Sequence, residues 1–135
     1  MAPRRKVTPA MERLERLRKA RVGAPTLRAS APNATHVGVE LRFDADTYLE
    51  PAPQVFTIFP TAQAHFVYAC PFGDCDGTYD LNDTVFGLLR EEACQMADVL
   101  RCTGHRSHGG GAGTACGLGM AYAVIVHYEE AALSR

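Results

Sequence analysis

The cysteines are the residues of this chain whose types and spacing most clearly indicate chemistry. Cys70 and Cys75 flank the short segment Pro-Phe-Gly-Asp, and Cys102 and Cys116 flank a glycine-rich segment. Proline and glycine between two cysteines let the backbone turn back sharply, so both sulfurs can face one point. Four soft ligands that arrive as two pairs from tight turns are typical of a structural zinc site. The spacing therefore predicts a zinc ion bound by these four cysteines.

Other roles for the cysteines remain open at the level of the sequence. The total of five cysteines is odd, so any scheme of disulfides within the chain leaves one thiol unpaired. An iron–sulfur cluster also takes four cysteines, and Cys70 with Cys75 could form a redox pair. The C-x4-C spacing lacks the C-x-x-C geometry that lowers a thiol pKa, which disfavours redox chemistry. The fifth cysteine, Cys94, is expected on the flank of a helix, away from the other four.

The identity of the fourth ligand is a second open point. Cys102 and His105 form a tighter pair than Cys102 and Cys116, so His105 or His108 could replace Cys116. A site with three protein ligands keeps a position for water, as catalytic zinc sites do. The alternative function is therefore a small zinc-dependent hydrolytic enzyme with an open metal position near these two histidines. All-cysteine ligation is preferred, because thiolates are the softer donors.

The motifs CPFGDC and VLRC with TACG resemble the cysteine pairs of zinc ribbons and treble clefs, which are small zinc-centred β folds. The resemblance covers about residues 68–118 and points to no specific family. It departs from the usual pattern in two ways. Four residues rather than two separate the first pair, and thirteen separate the second pair. The resemblance implies a structural metal site that holds two loops together.

The elements that must position these cysteines can be read from hydrophobic periodicity. Val37, Val39 and Leu41 alternate with polar residues, which predicts a half-buried strand. The segments QVFTIF and AHFVYAC are predicted to pair as a hairpin that ends at Cys70. A helix is predicted from about Asp83 to Leu100, because apolar residues recur at steps of three and four. The last strand, LGMAYAVIVHYEE, is expected near the centre of the sheet.

The predicted fold class is therefore α+β, with an antiparallel sheet of about five strands and one packed helix in the order β-β-β-α-β-β. Residues 36–135 form the zinc-stabilised domain, and residues 1–35 form a basic arm and linker that is partly disordered. A helix is predicted from Pro9 to about Arg21, and the composition of residues 23–35 is typical of a linker. Deletion of residues 1–28 is expected to leave the domain folded.

The net charge of -1 conceals a strong asymmetry along the chain. Nine Lys or Arg residues lie between Arg4 and Arg28 against two acids, whereas the rest of the chain holds five basic and thirteen acidic residues. A basic arm before an acidic body favours contact with a nucleic acid or with a protein partner. The residues expected to make that contact are Arg4, Arg5, Lys6, Arg13, Arg16, Arg18, Lys19 and Arg21.

These features together favour a non-enzymatic interaction module with a structural four-cysteine zinc site and a basic arm. The sequence contains no run of apolar residues long enough to span a membrane. It also lacks an apolar segment behind the basic N-terminus, so a secretory signal is not expected. A cytoplasmic location is therefore expected, and in such a reducing compartment clustered cysteines are more often metal ligands than disulfides.

Overall fold

The computed structural model describes residues 9–44, 51–106 and 113–129 of the 135-residue chain. The chain has the mixed α+β class that the sequence predicts. No helix in these three segments is long and apolar enough to cross a membrane. The elements are α1 (Pro9–Gly23), α2 (Leu27–Ser30), β1 (Ala34–Phe43), β2 (Gln54–Ile58), β3 (Val67–Ala69), β4 (Thr78–Asp80), α3 (Asn82–Glu91), β5 (Gln95–Arg101), β6 (His105–Arg106), β7 (Thr114–Ala115) and β8 (Gly119–Tyr128).

The main sheet has four antiparallel strands in the order β2-β1-β8-β5. Val39 in β1 pairs with Val124 in β8, and Val124 pairs in turn with Met96 in β5. Strand β8 therefore lies inside the sheet, as its apolar character predicts. Because successive side chains of a strand point to opposite faces of the sheet, every second residue of β1 and β8 faces the core. The buried side chains of this face are Val37, Val39, Leu41, Met120, Tyr122, Val124 and Val126.

The strand arrangement differs from the prediction of a single sheet of about five strands. Two small two-stranded sheets, β3–β4 and β6–β7, accompany the four-stranded sheet. The predicted hairpin of QVFTIF with AHFVYAC is wrong, because β2 pairs with β1 and β3 pairs with β4. Between β2 and β3 the chain runs beside the segment around α2, where the Leu27 amide donates to the Ala62 carbonyl at 2.8 Å. This detour separates β3 from the edge of β2.

The predicted helix from Asp83 to Leu100 is also wrong in its second half. Helix α3 ends at Glu91, and the following residue, Glu92, has a φ of 51° in the left-handed region. Its N–H bonds the last carbonyls of the helix, which is a common way for a helix to terminate. Residues 95–101 then pair with β8 as strand β5. Met96 and Leu100 fit the period of a strand as well as that of a helix. Backbone hydrogen bonding with β8 favours the strand.

The N-terminal segment packs against the body of the protein. Helix α1 contacts β3, and its Arg13 side chain is only 4% exposed. Within residues 23–35, Thr26 caps α2 by accepting a hydrogen bond from the Ala29 amide at 3.2 Å. Leu27 at the start of α2 is fully buried. Residues with the composition of a linker therefore contribute to the core, and α2 is an element that the sequence did not predict.

Candidate metal centre

The first cysteine pair lies in the loop that joins β3 to β4. Cys70 follows β3 directly, and its amide donates to the Gly77 carbonyl at 3.1 Å, which extends the pairing of the two strands by one step. The chain then turns, and the Cys75 amide donates to the Phe72 carbonyl at 3.2 Å. Both sulfurs are therefore fixed by backbone hydrogen bonds at the end of a short hairpin.

The second pair lies where β5 and β8 lead into the β6–β7 hairpin. The Cys102 amide donates to the Leu118 carbonyl at 3.0 Å, and the Cys116 amide donates to the Gly104 carbonyl at 2.9 Å. The two sides of the glycine-rich segment thus face each other as the sequence predicts. Cys102 and Cys116 hold positions across from one another at the base of this hairpin.

The four sulfurs converge on one point. Cys75 Sγ lies 3.6 Å from Cys102 Sγ, and Cys70 Sγ lies 3.8 Å from Cys116 Sγ. All four sulfurs lie within 4.8 Å of one another. Zinc–sulfur bonds of about 2.3 Å in a regular tetrahedron place neighbouring sulfurs about 3.8 Å apart. The arrangement therefore fits a single tetrahedral ion, and none of the five cysteines forms a disulfide.

The compact spacing also bears on the iron–sulfur alternative. A multi-iron cluster binds its cysteines through different iron atoms, so its sulfurs stand farther apart than the ligands of one ion. Four sulfurs within 4.8 Å of each other leave no room for such a cluster. The geometry instead suits one thiophilic ion such as zinc, whose preferred protein ligands include four thiolates.

Backbone amides point at the sulfurs. The Gly77 amide donates to Cys75 Sγ at 3.3 Å, and the Gly104 amide donates to Cys102 Sγ at 3.4 Å. In both cases the donor lies two residues after the cysteine, in the sequences Cys-Asp-Gly and Cys-Thr-Gly. These hydrogen bonds favour the charged thiolate form that a metal requires. The repeated Cys-x-Gly pattern is a sequence signal from which these donors could have been predicted.

Burial acts on the thiols in the opposite direction. It raises the pKa of Cys70, and the hydrogen bond from the Phe72 amide only partly offsets this. Burial likewise raises the pKa of Cys102 to about 12, against the lowering effect of the Gly104 amide. Both thiols are therefore protonated at neutral pH in the absence of metal. A metal that binds here must displace at least these two protons.

The two cysteine loops pack back to back through their glycines. A Cβ atom on Gly77 would overlap Cys102 Sγ and would lie 2.9 Å from the Gly104 Cα. Beside this contact, the His105 amide donates to the Asp76 carboxylate at 2.7 Å, and the Asp76 amide donates to the His105 carbonyl at 3.2 Å. The close approach of the loops, rather than either loop alone, brings the two cysteine pairs together.

Arg13 from α1 reaches the loop that joins β3 to β4. Its buried guanidinium donates to the carbonyls of Cys75 and Gly77. A zinc ion with four thiolates carries a net charge of about −2, so a buried cation beside the ligand loop offsets part of it. The prediction from sequence assigned Arg13 to the partner-binding arm. The structure instead places it inside the protein, where it joins α1 to the metal centre.

The remaining predicted site residues lie apart from the cluster. His105 is exposed in β6 and does not belong to the group of four sulfurs, whereas His108 lies outside the described residues. Cys94 does not belong to the cluster, as expected, but it is exposed between α3 and β5 and does not lie on the flank of a helix as predicted. Four predicted arm residues, Arg16, Arg18, Lys19 and Arg21, are exposed on α1. The predicted contacts Arg4, Arg5 and Lys6 lie outside the described residues.

Comparison with known proteins identifies no relative. No protein-family model matches the chain, and neither a curated protein nor a solved structure matches it. The resemblance to zinc ribbons and treble clefs therefore stays at the level of the cysteine motifs. The convergence of four cysteines from two distant parts of the chain is the main ground for a functional proposal.

Proposed function

We propose that this protein is a non-enzymatic binding module whose fold is fixed by one structural zinc ion bound to Cys70, Cys75, Cys102 and Cys116. The observation that carries the proposal is the spacing of the four sulfurs, two pairs of which lie 3.6 and 3.8 Å apart. These separations are those of a tetrahedral zinc–thiolate centre. Three of the cysteines are buried and Cys116 is half-buried, as expected of ligands within a structural site.

A structural role is favoured over a catalytic one by the ligand count. Four thiolates complete the tetrahedral coordination of zinc, whereas hydrolytic zinc sites keep one position for water. The centre also joins the β3–β4 hairpin to the connection between β5 and β8. These segments are far apart in the chain, so a shared ion would restrain both loops at once.

A test of the fourth ligand separates the structural site from an open, catalytic one. We expect Cys116→Ser to reduce bound zinc from about one ion per chain to a small fraction, and His105→Ala to leave it unchanged. Zinc content of the purified variants, measured by elemental analysis with native mass spectrometry, gives the answer. If Cys116→Ser keeps its zinc and gains an exchangeable metal-bound water, the hydrolytic enzyme becomes the better proposal.

The partner surface of the proposed module is the exposed basic side of α1. Arg16 and Lys19 are exposed there, and neither takes part in the salt bridge that joins Arg18 to Glu15 at 2.7 Å. The rest of the chain is acidic, so a polyanion approaching the protein is attracted to this helix and repelled elsewhere. We therefore propose nucleic acid as the first partner to test, with a protein partner as the alternative.

Salt dependence tests this surface. An arm that contacts about four phosphates of duplex DNA should lose affinity on the order of a hundredfold between 50 and 200 mM salt. The double variant Arg16→Gln with Lys19→Gln should reduce the slope of log affinity against log salt by about 1.8. Substitution is preferable to deletion of residues 1–28, because that deletion removes the buried Arg13 and Leu27 and so disturbs the core.

The matched control for this experiment is Arg90→Gln, which removes an exposed cation from α3 rather than from α1. It should leave both the affinity and the salt slope unchanged. Fluorescence anisotropy with duplex DNA and with structured RNA at both salt concentrations provides the measurement. The absence of binding at 50 mM salt would contradict the nucleic-acid proposal and leave a protein as the partner of α1.

A further inference from the structure

A groove lies between α1 and the strands β2 and β3, and one end of it borders Cys70 of the candidate metal centre. It consists of two adjoining cavities of about 360 and 280 Å³. Arg21, Phe56 and Tyr68 line both cavities, so the two meet along these side chains. Because a water molecule takes up about 30 Å³ of liquid, the larger cavity has room for roughly a dozen heavy atoms. The α1 groove is the surface formed by Leu17, Arg21, Phe56, Ile58, His65 and Tyr68.

Two polar side chains in the wall of the α1 groove have unsatisfied atoms. His65 is 9% exposed and Tyr68 is 6% exposed. The His65 Nδ1 and the Tyr68 hydroxyl are buried, and neither has a hydrogen-bond partner within the described part of the protein. An unpartnered buried polar atom is costly, and native proteins keep few of them. Tyr68 lines both cavities, so a ligand in the groove would supply the partner that its hydroxyl lacks.

The walls of the α1 groove select an apolar ligand body. Phe56 stacks on Tyr68 with ring centroids 4.6 Å apart, and Ile58 extends this apolar wall. On the opposite side, Leu17 of α1 closes the smaller cavity. Mostly apolar walls with a few polar groups are typical of small-molecule sites.

The charge of the α1 groove selects an anion. None of the described residues that line the two cavities is acidic. Arg21 borders both cavities, and no described carboxylate forms a salt bridge with it. Burial lowers the pKa of His65, and the nearby Arg21 lowers it further while Asp80 opposes the shift. The imidazole is therefore neutral at neutral pH. Arg18 also borders the smaller cavity but is paired with Glu15, so Arg21 is the lining cation that has no salt bridge among the described residues.

We propose that the α1 groove is a binding site for a small monocarboxylate with an apolar body. The carboxylate pairs with the guanidinium of Arg21 and accepts a hydrogen bond from the Tyr68 hydroxyl, while the body lies against Phe56 and Ile58. Arg21 and Tyr68 line both cavities, so one ligand in the groove can reach both side chains. The proposed contacts use Arg21, Tyr68, Phe56 and Ile58, none of which is a proposed zinc ligand, although Cys70 borders the smaller cavity.

A carboxylate fits this groove better than a phosphate. One guanidinium neutralises one negative charge, and its planar fork matches the two oxygens of a carboxylate. A phosphate dianion would leave one charge without a counterion against apolar walls, which is costly. A neutral amide of the same shape would lack the charge that Arg21 attracts. The proposal therefore predicts a large difference between an acid and its amide.

Benzoate and benzamide are the probes, each titrated into the full-length zinc-loaded protein and followed by two-dimensional amide NMR. Benzoate should bind with a dissociation constant of about 1 mM or lower, as expected for a ligand of this size. Its largest shifts should fall on residues 54–58 and 63–68. Benzamide should bind at least about tenfold more weakly, since it lacks the charge-assisted bond to Arg21.

Two variants assign the binding to the groove. Arg21→Gln should reduce the affinity for benzoate to the level of benzamide, whereas Arg90→Gln, an exposed site on α3, should have no effect. Tyr68→Phe should weaken benzoate binding about fivefold to tenfold. The same variant should leave the melting temperature of the free protein unchanged or higher, because it removes a hydroxyl that has no partner among the described residues.

Each alternative result overturns the proposal. Equal affinities for benzoate and benzamide would show that the groove does not select charge. Benzoate binding that survives Arg21→Gln would place the ligand elsewhere, and an absence of shifts at about 10 mM benzoate would mean that the groove binds no such acid. Zinc content is measured on every sample, so a failure of the metal proposal is distinguishable from a failure of this one.

Discussion

Serine in place of Cys70 or Cys75 is expected to abolish stoichiometric zinc binding and to lower the melting temperature by roughly 10–20 °C. A ligand present at a thousand times its dissociation constant stabilises a folded protein by about 4 kcal/mol. For a domain of this size, each kcal/mol corresponds to a few degrees of melting temperature. Loss of one thiolate removes most of that stabilisation, because the other three sulfurs no longer complete the tetrahedron.

The matched control is Cys94→Ser, since Cys94 is exposed and separate from the cluster. It should keep about one zinc per chain and the melting temperature of the original protein. Elemental analysis gives the zinc content, and thermal unfolding followed by circular dichroism gives the stability. A purified protein that is folded without metal and shows five titratable thiols would contradict the structural-zinc proposal.

The loss of zinc is expected to act locally. The buried face of the four-stranded sheet is formed by strand residues, and the buried cysteines adjoin it within the same core from loops outside the strands. Hydrogen exchange should therefore accelerate in the loops around residues 70–77 and 102–106, while β1 and β8 stay protected. The metal thus fixes the loops rather than creating the core.

The two cysteine pairs were predictable from the sequence because the determinants of each pair are local. Proline and glycine between Cys70 and Cys75 favour a tight turn, which brings the two sulfurs to the same side of the loop. The pairing of Cys102 with Cys116 followed from the glycine-rich segment between them. The structure confirms that the four cysteines converge, and their binding of a metal stays a prediction.

The arrangement of the strands was less predictable, because it depends on distant partners. Residues 95–101 satisfy both a helical and a strand period, so only the free edge of β8 decides between the two. The pairing of β3 with β4 instead of β2 depends on the detour past Leu27. Both the edge of β8 and the contact at Leu27 lie outside the segments whose structure depends on them.

Arg13 shows the same limit for a single side chain. In the sequence it is one of nine basic residues near the N-terminus, and nothing in its neighbours distinguishes it. Its burial results from the docking of α1 beside β3, where the Cys75 and Gly77 carbonyls accept its hydrogen bonds. A run of basic residues therefore predicts an exposed basic surface, but it does not reveal that one member of the run is buried by the fold.

The contact between the two cysteine loops leads to the second large effect, which is expected from Gly77→Ala. A Cβ at this position would overlap Cys102 Sγ and would lie 2.9 Å from the Gly104 Cα. Neither neighbour is the end of a long flexible side chain, so the loops must separate. We expect the free energy of unfolding to fall by about 3 kcal/mol or more, and the zinc affinity to fall at least about a hundredfold.

Gly73→Ala is the matched control for this substitution. Gly73 belongs to the same loop between β3 and β4, but a Cβ there would meet nothing within 4 Å. Both substitutions reduce the freedom of the unfolded chain to a similar degree, and that effect alone stabilises by up to about 1 kcal/mol. Neither residue has a positive φ, because Gly117 is the glycine with that conformation among the described residues. The difference between the two variants therefore isolates the steric effect at the loop contact.

Chemical denaturation measures the free energy of unfolding, and competition with a zinc chelator measures the zinc affinity. A Gly77→Ala protein with unchanged zinc affinity would show that the loops do not pack in this way.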